Sequence, residues 1–474
     1  MCSLLIKSPE TNLSTQVLTK WEPEDKAFWE KEGKAIASRN LLISILTLLL
    51  AFSVWMVWSM VVVHLPNIGF KFDNNQLFWL AALPGLSGAT LRIFYSFMVP
   101  IFGGRKWTTI STASLLIPAL GIGFAVQEPT TSFTTFVILA LLCGLGGGNF
   151  SSSMANINFF FPKAQKGMAL GLNAGLGNLG ISVMQFLVPL VITVAMFGAL
   201  GGNPQTWING DTVKNIWLQN AGFIWVPFIV ASTIYAWQGM NDIASARASF
   251  SEQAVILKHK HMWLISWLYL GTFGSFIGFS AGLPLLIKFQ FPDVNPAQYA
   301  FLGPLVGALI RPVGGWLADK KGGAAVTFWN FIVMVAAVCG ALYFLPNDGS
   351  NGNFWGFLAM FIVLFLASGI GTGSVFSMIP AICLAMYMRD TELFGNEVVE
   401  VVAISESGIR ASAVLGFSSA IAAYGAFFIP KSFGTSIEIT GGTEAAMVTF
   451  VLFYVTCIAI TWWYYARKNA PVPC

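Results

Sequence analysis

The composition of this chain excludes a soluble protein. Of its 474 residues, 56% are hydrophobic and only 10% are charged, with a mean hydropathy of +0.71, whereas a soluble domain carries about 25% charged residues. The net charge of +4 comes from a bias of basic residues toward one membrane face and not from a basic patch, so it does not indicate nucleic-acid binding. The sequence predicts a polytopic membrane protein.

Twelve apolar runs are long enough to cross a bilayer as helices, which takes about 20 residues each. In chain order the predicted spans are 40–65, 77–99, 108–127, 132–160, 167–197, 216–237, 262–287, 297–317, 325–345, 354–386, 403–430 and 446–465. We expect an all-α membrane protein with two six-helix halves, 40–240 and 262–466, a linker at 241–261, and tails at 1–39 and 467–474. Segment 23–40 is predicted to form a short amphipathic surface helix.

The basic residues predict the orientation. An even number of spans places both termini on one face, and most lysines and arginines fall on that face. The opposite face has four lysines: Lys71, Lys214, Lys288 and Lys431. Because cytoplasmic loops carry the excess of basic residues, both termini are predicted to be cytoplasmic. Nothing before the first span has the pattern of a signal peptide.

Two arginines lie well inside predicted spans, Arg92 in the second and Arg311 in the eighth, whereas Arg410 lies near the start of the eleventh, on the side of the termini. A charge at bilayer depth costs roughly 2.5–3.5 kcal/mol on insertion scales, so such a residue is a candidate functional group. The acidic residues all fall in tails, loops or span ends, with Glu406 nearest, at the mouth of the eleventh span. Since no carboxylate is available at mid-membrane, an anionic substrate is the expected partner of the two guanidinium groups.

The surroundings of the two arginines repeat at an offset of 219 positions. The sequence reads Gly-Ala-Thr-Leu-Arg at 88–92 and Gly-Ala-Leu-Ile-Arg at 307–311, and glycine pairs follow in register at 103–104 and 322–323. Two similar six-span halves describe a major facilitator architecture, with substrate bound near the midplane between them. The loop 315–323 resembles that superfamily's cytoplasmic loop motif, but its first-half copy has Pro100 at the position of Asp319.

The sequence offers no arrangement of residues typical of catalysis or metal binding. The six cysteines lie in spans or at the termini, without the spacing of metal sites or disulfides. No buried cluster of histidine, cysteine or acid offers acid–base chemistry. The sequence therefore predicts no enzyme activity, no metal and no cofactor.

Glycine recurs in four segments: 144–153 and 167–180 in the first half, 369–374 and 415–425 in the second. The glycines alone are explained equally well by close helix packing or by a substrate path. Residues 175–180 also match Gly-x-Gly-x-x-Gly, but without a preceding strand they do not indicate a dinucleotide site. Asparagines on the same two first-half helices favour the substrate path, because a buried amide is costly unless it bonds across helices or to a ligand.

Several segments carry a resemblance to a known family. Residues 155–163 (Ala-Asn-Ile-Asn-Phe-Phe-Phe-Pro-Lys) with 171–178 (Gly-Leu-Asn-Ala-Gly-Leu-Gly-Asn), and residues 425–431 (Gly-Ala-Phe-Phe-Ile-Pro-Lys), are similar to the two nitrate signatures of the nitrate/nitrite porter family, NarK type, of the major facilitator superfamily. The similarity extends through 21–25, 37–40, 95–105 and 272–282. It covers nearly the whole chain.

This resemblance implies a substrate-binding site. Its residues in this sequence are Arg92, Arg311, Tyr269, Asn178, Phe150, Phe273, Gly171 and Ser419. The two arginines hold the anion, the two phenylalanines flank it, and Tyr269 and Asn178 supply polar contacts. The planar fork of a guanidinium suits a flat oxyanion, and a slot between two rings would accept a planar anion better than tetrahedral sulfate or phosphate.

The resemblance also implies the activity: an antiporter, expected to be a monomer without cofactor, that imports nitrate and exports nitrite across the inner membrane for nitrate assimilation. The residues suggest the coupling. Two arginines facing each other across an empty, closing cavity repel, and a bound anion offsets that cost. Only the loaded protein then switches between its two states.

Two alternatives remain. Nitrate/proton symport needs a titratable group that the sequence does not reveal. A passive anion channel or a membrane sensor is disfavoured, because the two halves repeat the arginine site and no signalling domain is added.

Overall fold

The computed structural model describes residues 16–244, 259–346, 351–391, 411, 414–472 and 474. Within them twelve helices are long and apolar enough to cross a membrane, which confirms the predicted number. Spans 1–12 are, in order, Lys26–Ile68, Asn74–Tyr95, Gly104–Ala125, Phe133–Phe160, Lys163–Val191, Asn220–Gly239, Lys260–Gln290, Pro296–Lys321, Gly323–Tyr343, Phe354–Met386, Val414–Thr440 and Glu444–Ala466. The first and last described residues lie on one face of this bundle, here named the terminal face.

Several spans are broken into shorter segments. The pieces are Lys26–Phe28, Trp29–Gly33, Lys34–Met56, Trp58–His64 and Leu65–Ile68 in span 1; Gly104–Ala113 and Leu116–Ala125 in span 3; Asn220–Phe223 and Trp225–Gly239 in span 6; Lys260–Tyr269, Leu270–Gly274 and Ser275–Gln290 in span 7; Pro296–Gln298, Leu302–Leu309 and Arg311–Lys321 in span 8; and Glu444–Thr461 and Trp462–Ala466 in span 12. The tenth helix continues to Thr391, Gly425–Thr440 is the second part of span 11, and short helices occupy Met98–Phe102 and Gly198–Gly201.

Three predicted boundaries extend four or more residues beyond the observed helices. Span 2 ends at Tyr95 and not at 99. Span 5 ends at Val191 and span 6 begins at Asn220, because the intervening chain forms an antiparallel hairpin of β2 (Gln205–Asn209) and β3 (Thr212–Ile216). The predicted start of span 11 at 403, Glu406 and most of the central linker lie outside the described residues.

The predicted separate surface helix at 23–40 is also wrong. Asp25 caps a helix that begins at Lys26 and runs through the π-helical turn Trp29–Gly33 into Lys34–Met56, so the segment is the first part of span 1. Trp29 in its second turn is 4% exposed and packs against Phe161, with ring centroids 5.7 Å apart. Trp21 donates a hydrogen bond from its indole N–H to the carbonyl of Phe159 at 3.0 Å. The segment therefore covers the loop between spans 4 and 5.

A second short sheet closes the first half on the terminal face. Strand β1 (Val17–Leu18) pairs in parallel with β4 (Asp242–Ile243), which follows span 6. Asp242 accepts a hydrogen bond from the backbone N–H of Arg105 at 2.8 Å and lies 3.5 Å from its guanidinium. Arg105 is 3% exposed, so this ion pair is buried. Asp242 thus supplies the acid that the first-half loop motif lacks at Pro100, while Asp319 of the second half is exposed.

This arrangement predicts a loss of stability in Asp242→Ala. Removing one partner of a buried ion pair typically costs about 3–5 kcal/mol, and the N-terminal turn of span 3 loses its cap as well. We expect a clearly lower melting temperature of the detergent-solubilised protein, followed by size-exclusion chromatography after heating. Asp319→Ala is the matched control and should leave the melting temperature nearly unchanged. Equal melting curves for both variants would contradict the assignment.

Candidate functional site: two arginines at one aromatic ring

Each half turns its chain in the same way after its arginine. The backbone φ is +90° at Gly103 and +84° at Gly322, a conformation that strains any residue with a Cβ atom. In both halves the next helix begins one residue later, at Gly104 and Gly323. The sequence repeat is therefore a repeat of backbone geometry.

Arg92 is fully buried between the two halves. Its Nε donates a hydrogen bond to the carbonyl of Gly147 in span 4 at 3.0 Å, and its Nη1 donates to the carbonyl of Ser419 in span 11 at 3.1 Å. Its Nη2 is buried without a partner. Two neutral carbonyls thus fix the guanidinium in place, and they leave its charge uncompensated.

Aromatic rings enclose Arg92. Its Cζ lies 4.5 Å from the ring centroid of Phe150, 5.1 Å from Trp55, 5.3 Å from Phe273 and 5.9 Å from Phe52. Cation–π attraction contributes about 0.5–2 kcal/mol per ring, with the higher value at desolvated sites. These rings offset part of the cost of burying a charge and hold water away from it.

Glycines on spans 2 and 4 make room for one of these rings. A Cβ atom at Gly88 would lie 2.5 Å from the indole nitrogen of Trp55, and one at Gly147 would lie 2.6 Å from its Cε2. The indole N–H donates to the carbonyl of Pro84 at 2.6 Å. Close packing through small residues therefore explains these glycines, and the packing places Trp55 against Arg92.

Arg311 contacts the same phenylalanine as Arg92. Its Cζ is 5.3 Å from the centroid of Phe273, equal to the distance for Arg92, and 4.3 Å from Phe276. Arg311 is 9% exposed, and its Nε and Nη2 are buried without partners. Across the described ranges, no carboxylate oxygen lies within 4.0 Å of either guanidinium. Two unpaired cations therefore share one aromatic ring.

Phe273 owes its position to a π-helical turn, Leu270–Gly274, within span 7. Such a turn holds an extra residue and rotates the side chains that follow it relative to an α-helix; it is frequent at functional sites. A Cβ atom at Gly271 would lie 2.7 Å from Phe331, and one at Gly274 would lie 2.8 Å from the carbonyl of Ala422. The wide turn therefore packs closely against spans 9 and 11.

Phe150 and Phe273 face each other across the boundary between the halves. Their ring centroids are 6.3 Å apart and their planes differ by 24°. A flat anion between two rings needs about 7 Å, which is two van der Waals layers of roughly 3.5 Å. The rings must therefore separate by a fraction of an ångström to admit a planar anion, and by more to admit a tetrahedral one.

Tyr269 extends the stack of rings. Its ring lies 5.5 Å from that of Phe273, with an interplanar angle of 28°. It is 3% exposed and interacts electrostatically with both Arg92 and Arg311. Tyr269 thus belongs to the same cluster as the two guanidinium groups, and a contact of its hydroxyl with the anion stays a prediction.

The other three predicted site residues lie differently. Ser419 reaches Arg92 through its carbonyl, while its hydroxyl donates to the carbonyl of Gly416 at 2.9 Å. Asn178 is fully buried; its Nδ2 donates to its own helix at Ala174, and its Oδ1 has no partner. Gly171 is exposed, and a Cβ atom there would meet no atom within 4 Å. No hydrogen bond in the described part of the chain joins Asn178 or Gly171 to the arginines.

Sequence reasoning missed four residues that contact the arginines: Phe52, Trp55, Gly147 and Phe276. The chain has 41 phenylalanines and 17 tryptophans, so aromatic identity alone singles out none of them. Gly147 carried a signal through the glycine-rich segment that contains it, and Phe276 lies in the segment 272–282 that resembles the family.

The two halves are hydrogen-bonded to each other on the face opposite the termini. Gln185 in span 5 donates to the carbonyl of Ser280 in span 7 at 2.8 Å and to the hydroxyl of Ser59 in span 1 at 3.1 Å. Nearer the arginines, the hydroxyls of Thr90 and Tyr424 are 2.9 Å apart. We name this set of contacts the opposite-face seam. It links the two halves on that side of the arginines.

Comparison with known proteins establishes the class. A family model described as Major Facilitator Superfamily matches residues 43–395, and the chain belongs to that superfamily. A solved structure of a bacterial homolog to the human lysosomal transporter Spinster, in an inward-facing and occupied conformation, aligns with a TM-score of 0.62 at 16% identity, covering 90% of this chain and 96% of the other. That likeness confirms the fold.

Curated relatives define the family within this class. The chain is 53% identical to nitrate/nitrite transporter NarU of Escherichia coli (strain K12), over 96% of this chain and 97% of the relative. It is 42% identical to the probable nitrate/nitrite antiporter NarK2 of Thermus thermophilus, over 96% of this chain and 98% of the relative. The chain belongs to the nitrate/nitrite porter family of NarK type.

Proposed function

We propose that this protein is a nitrate/nitrite antiporter that binds its anion between Arg92 and Arg311. One observation carries the proposal: Nη2 of Arg92 and both Nε and Nη2 of Arg311 are buried without hydrogen-bond partners. A buried guanidinium nitrogen that donates to nothing costs free energy. An oxyanion between the arginines satisfies these donors and neutralises the charges together.

The aromatic rings support a planar substrate. The spacing of Phe150 and Phe273 falls only slightly short of what a flat anion requires. Nitrate and nitrite are both flat, whereas sulfate and phosphate are tetrahedral. The names of the related proteins, nitrate/nitrite transporter and nitrate/nitrite antiporter, point to the same two anions.

Exchange follows from the missing counter-charge. Without substrate, closing the halves brings two unpaired guanidinium groups into a dry space, where like charges repel. A bound anion removes that penalty, so the loaded carrier crosses between its two open states and the empty carrier does not. Proton symport would need a titratable partner for the arginines, and none of the described carboxylates is close enough to serve.

We infer that the termini are cytoplasmic, from the distribution of lysine and arginine. The opposite-face seam is then periplasmic, and the described conformation is closed to the periplasm. We further propose that the protein lies in the inner membrane as a monomer. There it imports nitrate and exports nitrite.

Counterflow in proteoliposomes tests the proposal. Nitrate uptake should require internal nitrite or nitrate, and it should proceed without a pH gradient. Internal sulfate serves as the matched control and should support no uptake. If a pH gradient drives nitrate uptake into vesicles without internal anion, exchange is wrong and proton symport is right. Uptake that depends on neither the internal anion nor the pH gradient would indicate a channel.

A further inference from the structure

Lys288, near the end of span 7 on the face opposite the termini, adds a further contact between the halves beside the opposite-face seam. Its ammonium donates to the carbonyl of Val63 and, at 2.6 Å, to Oδ1 of Asn67, both at the outer end of span 1. The Asn67 amide in turn donates to the carbonyl of Ile208 in the β2–β3 hairpin at 2.7 Å. The lysine thus ties the second half to the first through neutral acceptors.

In the part of the chain that the structure describes, Lys288 has no acidic partner. No carboxylate oxygen in the described ranges lies within 4.0 Å of it, and its side chain is half-buried. A partly buried ammonium held only by neutral oxygens keeps its attraction for a mobile anion, because no fixed charge screens it.

Lys431 on the same face is a natural comparison. Its ammonium donates to Oδ1 of Asn75 at 2.7 Å and lies 4.6 Å from the ring of Trp79. Here, however, Glu438 accepts from the same Asn75 at 2.6 Å, and both Glu438 and Asp73 act electrostatically on the lysine. Lys431 is therefore a compensated cation, and Lys288 is not.

The wider charge distribution makes an uncompensated cation useful there. By sequence, the connections and the span ends on the opposite face hold more acidic residues than lysines. The acidic residues are Asp73, Glu128, Asp211, Asp293, Asp348, Glu438 and Glu444, and the lysines are Lys71, Lys214, Lys288 and Lys431. This face on average repels an approaching anion.

We propose that Lys288 is an anion-receiving residue at the opposite mouth of the transport path. When the seam opens, Val63 and Asn67 move away from span 7, and the released ammonium attracts a small oxyanion before it reaches the arginines. When the seam closes, the same ammonium returns to its neutral acceptors. This inference rests on the proposed function, because it assigns a second contact to the same anion.

The test measures nitrate exchange from each face separately. Vesicles contain wild type, Lys288→Gln, Lys288→Met or Lys288→Arg. They are separated by the accessibility of a C-terminal tag into those with the terminal face outside and those with it inside. Apparent KM is measured at ionic strengths of about 0.01 M and about 1 M, set with gluconate, where the Debye length is about 30 Å and about 3 Å. Lys431→Gln is the matched control.

At low ionic strength, both neutral variants should raise the apparent KM for nitrate supplied at the opposite face about two- to fivefold. This is the effect expected from removing one charge that acts on the anion at roughly 10 Å through a partly aqueous path. KM from the terminal face should not change. The difference should vanish at high ionic strength, and both Lys288→Arg and Lys431→Gln should behave as wild type.

Two results would overturn the inference: a wild-type KM in both neutral variants at low ionic strength, or a change of equal size at both ionic strengths, which would show a seam contact without anion attraction. If wild type itself exchanges no nitrate, the proposed function fails first. The two failures are therefore distinguishable.

Discussion

Arg92→Lys and Arg311→Lys should each reduce nitrate exchange by about ten- to a hundredfold or more, because each loses charge-assisted hydrogen bonds worth about 1.5–3 kcal/mol. A lysine keeps the positive charge but has no planar fork to bond a flat oxyanion at two atoms. At Arg92 it also cannot hold the carbonyls of Gly147 and Ser419 at once as the guanidinium does. Counterflow rates in proteoliposomes measure the loss.

A suitable control for these variants is Arg467→Lys. This arginine lies on the terminal face with its Cζ 4.3 Å from the ring of Trp463, away from the site. It should exchange nitrate at the wild-type rate. Nitrate should also raise the melting temperature of wild type and of the control, but not of Arg92→Lys or Arg311→Lys. Wild-type KM and rate in either site variant would refute the paired-arginine site.

Gly85→Ala should shift the protein away from the described conformation. Gly85 in span 2 faces span 11 of the other half, and a Cβ atom there would lie 2.4 Å from the backbone carbon of Ala426. Overpacking of this kind costs typically 1–3 kcal/mol. Because the contact joins the halves toward the opposite face, the state that opens there avoids the penalty and becomes more populated.

Labelling with a membrane-impermeant maleimide measures this shift. A cysteine introduced at Ser280, which is 1% exposed at the seam, should react from the opposite face several-fold faster in Gly85→Ala than in the unmodified background. Gly175→Ala is the control, since a Cβ atom there would meet no atom within 4 Å. Equal labelling in both backgrounds would show that Gly85 does not hold the seam closed.

The buried asparagines follow the prediction from sequence only in part. Buried amides were expected to bond across helices or to a ligand, and Asn173 does donate to the hydroxyl of Ser153 on the neighbouring span at 2.9 Å. Asn178 instead donates within its own helix and keeps a buried oxygen without a partner. Its contact with substrate stays a prediction, as do those of Gly171 and the hydroxyl of Ser419.

The sequence by itself determined the class of the protein and the chemistry of its site. Hydropathy revealed twelve spans because the bilayer imposes one length on every crossing helix. Charges are rare inside membrane spans because burying them is costly, so the few that occur can be identified in the sequence. Their positions indicated that Arg92 and Arg311 have no acidic partner at mid-membrane. A repeat at a fixed offset placed the two arginines in equivalent positions of two halves.

Tertiary structure alone decided how these groups meet. The π-helical turn that carries Phe273 to both guanidinium groups depends on packing of span 7 against distant helices, and no local pattern encodes it. Asp242 reaches Arg105 from 137 positions away. In the sequence nothing distinguishes Lys288 from other lysines near span ends, and only the fold shows that its partners are neutral. Such contacts join residues far apart in the chain, and their energies depend on distance and burial in the folded state.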